Sequence, residues 1–437
     1  MRPDSRFIKA SFMTWTFWAA LVIVVLTIAA LIKRYETRLV LLTAGFVMTL
    51  LAFDPMAAFK QFDKSMTNAS LIIAICSSMG FAGVMSLTKC DLHLVSLLTK
   101  PLRTLGVLLL PCCMLVTGFI SVAISSFAGL CAAVGPTMII LMVRAGFHPA
   151  IAAAAVAGST VPGFLSPGTS HNVFISKLAD MPIMDYIYAT APRTIGLLFV
   201  ITAFMTVLCF AYKDYKKGGF EGASIAGIDV SKGPELPEKA NLLFAFAPLL
   251  PVVILFVVSL TWPELKMSVA TAMLIGMLYT LVVTRSDPAD VMKKFFDGMG
   301  RGYGNILGLI IAAGVFAAGL RTCGVIDLFV EYLKGSSEIA KIGAAVGPLV
   351  LGIMTGSGDA AAFAFNEAVT VHAPEFGLTI PDLGYLAIVS ATLGRVTSPI
   401  AAGMIVIAGI ANVSPLDVVK RTAIANIGTL IVLYMIS

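Results

Sequence analysis

The sequence predicts an all-α polytopic membrane protein made of two inverted repeats, each with five transmembrane helices plus a re-entrant hairpin. Three observations carry this prediction. Of its 437 residues, 58% are hydrophobic and 12% charged, where soluble domains carry about 25% charged residues; its mean hydropathy is +0.95. Long apolar runs recur along the chain, such as "WAALVIVVLTIAALI" (18–32) and "TAMLIGMLYTLVV" (271–283). A bilayer core of roughly 30 Å takes about 20 such residues per helix. Finally, the chain matches itself in order at an offset of about 230–236 residues, the sign of an internal duplication.

The matches fall on both sides of the one long polar stretch, 213–241, read as a cytoplasmic linker between repeats 1–212 and 242–437. "MGFAGVMSLTKCDLHLVSLL" (79–98) pairs with "AGVFAAGLRTCGVIDLFVEYL" (313–333), and "AISSFAGL" (123–130) with "MTGSGDAA" (354–361). "STVPGFLSPGTS" (159–170) pairs with "ATLGRVTSPIAA" (391–402). Spans are expected near 12–32, 37–53, 69–88, 104–145, 147–179 and 193–212, then near 242–260, 266–284, 302–321, 339–373, 383–412 and 419–436. The fourth span of each half is long enough to cross twice but holds small polar residues at its centre. It is read as a hairpin with its tip at membrane depth. Five crossings per half then make the repeats inverted. The stretches 90–103 and 325–338 mix apolar and charged residues at helical spacing and read as amphipathic arms in the interface.

The first eleven residues precede an apolar run with no small-residue cleavage site, so that run reads as a retained first helix. Of the 30 Lys and Arg, the larger share falls on the side holding loops 33–38, 89–103, 213–239 and 285–301. The positive-inside rule makes that side cytoplasmic and places both termini in the periplasm of an inner-membrane protein. The net charge of +6 is spread over short loops, which argues against nucleic-acid binding. Seven cysteines without a Cys-x-x-Cys pair argue against a disulfide framework or a thiolate metal site.

Chemistry concentrates where helices break: at Ser125-Ser126, "PGFLSPGTSHN" (162–172), "TGSGDA" (355–360) and "GRVTSP" (394–399). Backbone that leaves a helix inside the bilayer must be buried in protein or line a wet cavity. Each break also exposes half-helix N-termini, which favour anions. The candidate substrate ligands are Ser125, Ser126, Ser166, Thr169, Ser170, Asn172, Ser357, Arg395, Thr397 and Ser398; Thr355, Gly358 and Asp359 are candidates for a coupling ion. Arg395 is the costliest of these to bury, so it requires a partner, either Asp359 or a substrate carboxylate held bidentately. Asp359 could equally cap the descending helix of the second hairpin. His171, inside a break, reads equally as a ligand contact or a backbone hydrogen-bonding residue; Glu367 and His372, farther along the descending half-helix, read as ordinary residues rather than as the mouth of a cavity.

The stretches 312–328, 355–369 and 393–422 closely resemble the C-terminal half of the anaerobic four-carbon dicarboxylate carriers called DcuC, in the ion-transporter superfamily. "ISSFAGLCAAVGP" (124–136) and "SPGTSHNVF" (166–174) resemble the first half more weakly. The resemblance implies a homodimeric secondary transporter of succinate or fumarate working by an elevator-type motion, without cofactor, through exchange or with Na⁺ or H⁺ as coupling ion. It also implies Gly-Asn where this chain has Gly358-Asp359, and Gly-Asp where it has His171-Asn172. An alternative keeps the fold but carries another small carboxylate or an amino acid, or exchanges cations for protons. "GSGD" (356–359) matches an intramembrane aspartyl protease motif, but the second aspartate and the Pro-Ala-Leu motif of those enzymes have no counterpart.

Overall fold

The structure, a computed structural model, describes residues 5–437 apart from 34, 100–105, 125, 217–236, 238, 266, 327 and 329–335. All regular elements among the described residues are helical, with one isolated bridge between Phe147 and Tyr215. The first half contains α1 (Ser5–Ile32), α2 (Thr37–Leu51), α3 (Pro55–Met66), α4 (Ala69–Thr88), α5 (Cys90–Thr99), α6 (Leu109–Ala123), α7 (Phe127–Arg144), α8 (Pro149–Gly158), α9 (Ser170–Leu178) and α10 (Ile183–Ala211). The second contains α11 (Leu242–Phe246), α12 (Leu250–Thr261), α13 (Val269–Thr284), α14 (Pro288–Arg301), α15 (Gly308–Thr322), α16 (Ser337–Thr355), α17 (Gly358–Ala368), α18 (Ile380–Val396), α19 (Ala402–Ala411) and α20 (Pro415–Ile436).

Six helices among the described residues are long and apolar enough to cross a membrane: 71–88, 127–144, 183–211, 288–322, 337–355 and 415–436. A seventh appears if 149–165 and 170–178, bent by 42°, count as one span. The expected breaks are present. Helix α8 gives way to a 3₁₀ turn, Val161–Leu165, before α9, and α18 stops at Val396, short of α19.

Two expected loops are helices instead. Residues 54–68 contain α3, and 285–301 contain α14, which runs through a π-helical turn at Gly302–Leu307 into α15 to make one 35-residue span, Pro288–Thr322. Their charged composition suggested loops, but each begins with an aspartate cap followed by proline. Asp54 accepts from the Ala57 amide and Asp287 from the Ala289 amide; Pro at the first helical position loses no intrahelical bond. Helix α14 packs along α4 and α3 along α15, while α13 meets α4 and α2 meets α15. Each half thus covers the corresponding helix of the other.

The first of the two amphipathic arms contains helix α5. It packs against α11 with Cys90, Leu92, Leu94 and Val95 buried. The Asn241 amide donates to His93 Nδ1 (3.1 Å) and the Ser96 hydroxyl to the Pro237 carbonyl (3.1 Å), which fastens the end of the linker to it. Most of the second arm, 325–338, lies outside the described residues. Helix α10 starts ten residues earlier than the span expected from 193, and the span expected over 242–260 is broken between α11 and α12. At the other end of the linker, Arg421 on α20 makes a two-pronged pair with buried Asp214 (2.6 and 2.7 Å). This joins the end of the first half to the last helix. All seven cysteines are free thiols.

Candidate functional site

The breaks meet at one cavity of about 350 Å³. Four helix N-termini border it, through Ser126 and Phe127 of α7, Thr169 and Ser170 of α9, Ser357 and Gly358 of α17, and Ala402 and Gly403 of α19. Two of these termini satisfy themselves. Ser126 accepts from the Gly129 amide (3.2 Å), and Ser357 from the Ala360 amide (3.2 Å). The other two, α9 and α19, have no side-chain cap. An uncapped N-terminus leaves amide donors and a positive dipole end for a ligand, a ready-made anion site.

Arg395, in the last turn of α18, lines the cavity. Its Nη1 lies 3.6 Å from Asp359 Oδ1, and its guanidinium carbon sits 5.1 Å from the centre of the Phe127 ring. The same Asp359 oxygen is 3.3 Å from His171 Nε2. Although within ion-pair range, that contact is not aligned as a hydrogen bond, so His171 Nε2 is buried without a hydrogen-bond partner, as is Arg395 Nε. The His171 ring stacks on Phe363 (5.0 Å, 19°) and meets Phe164 edge-on (5.8 Å, 90°). Asp359 does not cap α17, since Ser357 does; its carboxylate is free to face Arg395 and the His171 imidazole.

Close backbone approach sets Arg395 in place. Helix α18 packs on α16 so tightly that a Cβ on Gly394 would come 2.3 Å from the Leu349 carbonyl oxygen. The tip between α16 and α17 turns at Gly356, whose φ of +69° suits a residue without a Cβ.

Several candidates serve the breaks and not the cavity wall. Asn172 donates through Nδ2 to the carbonyls of Phe164 (2.7 Å) and Ser166 (3.0 Å), so its amide supplies the bonds the broken helix lacks. Thr397 donates to the Leu393 carbonyl (2.8 Å) and accepts from Asn426 Nδ2 (2.9 Å), while Thr355 donates to the Leu351 carbonyl (2.7 Å). Ser166 and Ser398 are buried off the cavity lining, and the Ser398 hydroxyl is unpartnered. Thr169 does line the cavity, with its hydroxyl spent on the Gly163 carbonyl (2.9 Å). Ser125 lies outside the described residues. Glu367 and His372 are not in the lining; Arg321 reaches the Glu367 carbonyl (3.4 Å), and His372 Nδ1 pairs with Glu375 (2.8 Å).

Sequence reasoning passed over Thr160, Thr392, Phe127 and Ala128, which line the cavity. Their signal lay in the internal repeat. At the offset of about 232, Thr160 answers Thr392, Ser170 answers Ala402, Gly163 answers Arg395 and His171 answers Gly403; at one residue less, Ser126 answers Ser357 and Ala128 answers Asp359. All twelve positions border the same cavity.

A Haemophilus influenzae protein described as an uncharacterized transporter is 43% identical over 269 residues, 59% of this chain and 94% of its own length. The anaerobic C4-dicarboxylate transporter DcuC of Escherichia coli K12 is 28% identical over 368 residues, 81% of this chain and 77% of its own. The crystal structure of the Alcanivorax borkumensis YdaH transporter shares the fold, with a TM-score of 0.57 over 86% of each chain at 14% identity. The profile of the DcuC family, described as C4-dicarboxylate anaerobic carrier, matches residues 48–436, and the chain belongs to that family of integral membrane transporters.

Proposed function

We propose that this protein carries small dicarboxylates of the succinate or fumarate type across the inner membrane by alternating access. The observation that carries this reading is the convergence of two uncapped helix N-termini and Arg395 on one cavity. A carboxylate oxygen pair matches a guanidinium fork bidentately, and free amides at helix ends donate to the remaining lone pairs. A volume of about 350 Å³ is near the lower end of the roughly 300–1,000 Å³ typical of ligand sites, in keeping with a four-carbon acid.

In this reading the two halves are inverted repeats whose hairpins, α6–α7 and α16–α17, enter and leave on one face. Helices α1–α4 and α12–α15 form a scaffold, dimeric in the membrane, and the hairpins with α8–α10 and α18–α20 move as an elevator. Ile75 and Met79 of α4 and Ile306 of the π turn, all scaffold residues, close one wall of the cavity, which supports a site that slides along that wall. The termini face the periplasm, and transport runs by exchange or with Na⁺ or H⁺.

The test is counterflow of labelled succinate into proteoliposomes preloaded with unlabelled succinate. Uptake is expected, and external fumarate should compete while equimolar acetate or lactate should not. Absence of uptake under imposed Na⁺ and proton gradients as well would overturn the assignment.

A further inference from the structure

We infer that Asp359 is a tethered stand-in for the substrate's carboxylate: it occupies the anion site of the empty carrier and must yield when substrate binds. This deepens the dicarboxylate reading above and rests on it. One oxygen, Asp359 Oδ1, faces both Arg395 and His171, at 3.6 Å from Arg395 Nη1 and 3.3 Å from His171 Nε2. Neither contact is a close hydrogen bond. His171 is 6% exposed with its Nε2 unpartnered, and Arg395 Nε is unpartnered too. Each of these side chains therefore keeps a buried nitrogen without a hydrogen bond, while the acid that faces them is held loosely. Exposure points the same way, since the Asp359 side chain is 38% exposed against 7% for His171 and 18% for Arg395. The cluster of three is also built across the two halves, with His171 in the first and Asp359 and Arg395 in the second. At the repeat-related positions stand Gly403, Ala128 and Gly163, none of them ionisable.

Two consequences follow from charge alone. An internal carboxylate competes with the external one, so apparent affinity falls by the fraction of time the site is self-occupied. A neutral Arg395–Asp359 pair also lets the empty site pass the membrane interior, where a bare arginine is costly. Asp359 thus weakens binding and permits net flux, which is the reverse of what a ligand for substrate or coupling cation does.

The experiment compares wild type with Asp359→Asn and Asp359→Ser in succinate counterflow and in net efflux from succinate-loaded vesicles into succinate-free buffer. Both variants should show half-saturation lowered by about 3- to 10-fold, the gain expected from a site self-occupied roughly 70–90% of the time. Net efflux should fall by at least about tenfold relative to exchange, because the empty carrier now returns with an unpaired arginine. A purely structural role would not tighten binding, and two variants guard against one that folds poorly. Unchanged or weaker affinity in the variants, with wild-type exchange intact, would overturn this inference alone. No succinate exchange by the wild type would overturn the dicarboxylate reading, and this inference with it.

Discussion

The two helix breaks solve the same problem with different means. In the first, the chain mends itself. Asn172, one turn into α9, reaches back to the carbonyls of Phe164 and Ser166, and Thr169 takes that of Gly163. In the second, a neighbouring helix shares the mending with Thr397: Asn426 of α20 donates to the Leu393 carbonyl (3.2 Å) and Thr397, and Thr422 to the Val396 carbonyl (3.1 Å). Both leave the following helix uncapped at the cavity. The asymmetry is in the side chain at position 395. Its carbonyl accepts from the Ser398 amide as that of its counterpart Gly163 accepts from the Ser166 amide (both 3.1 Å), but only position 395 adds a guanidinium to the cavity. A duplicated fold has thus become a polar, asymmetric site.

This contrast can be broken in order of effect. Gly394→Ala drives a Cβ against the Leu349 carbonyl at 2.3 Å, where the rigid neighbour is backbone. It should cost about 3 kcal/mol or more, read as a sharp fall in the thermal unfolding midpoint in detergent and in membrane yield. Asn172→Ala should cost about 2 kcal/mol, because it strands the buried Phe164 carbonyl in a low-dielectric interior. Asn426→Ala should cost only about 1 kcal/mol, since the Leu393 carbonyl keeps the Thr397 amide and hydroxyl as donors. Equal midpoints for these two variants would remove the distinction between the self-mended and neighbour-mended breaks. Last is Phe127→Leu, which takes the ring from beneath Arg395. A loss of about 1 kcal/mol should raise succinate half-saturation by about 5-fold, alongside the lowered unfolding midpoint that trimming a buried ring brings.

Much of this was legible in the sequence. The apolar runs, the Ser-Pro pairs at 166–167 and 398–399, and an arginine inside an apolar stretch give the breaks and the pairing of Arg395 with Asp359. Helices α3 and α14 were missed because their charges resemble those of loops, although Asp54-Pro55 and Asp287-Pro288 are helix starts. Asn172 reads from sequence as a ligand because it is a polar residue in a break. Only three-dimensional proximity reveals that its donors are spent on its own backbone. Thr160 and Thr392 look like packing threonines one at a time and gain meaning only as a repeat-related pair on one cavity.

The central claim is that Arg395 receives a substrate carboxylate at the meeting point of the breaks. Its most direct test is succinate counterflow by wild type, Arg395→Lys and Arg395→Ala, reconstituted at equal density and matched for unfolding midpoint. The account predicts a loss of about 100-fold for Arg395→Ala and partial retention for Arg395→Lys, which keeps the charge without the fork. Exchange by a folded Arg395→Ala protein at the wild-type rate and half-saturation would contradict it.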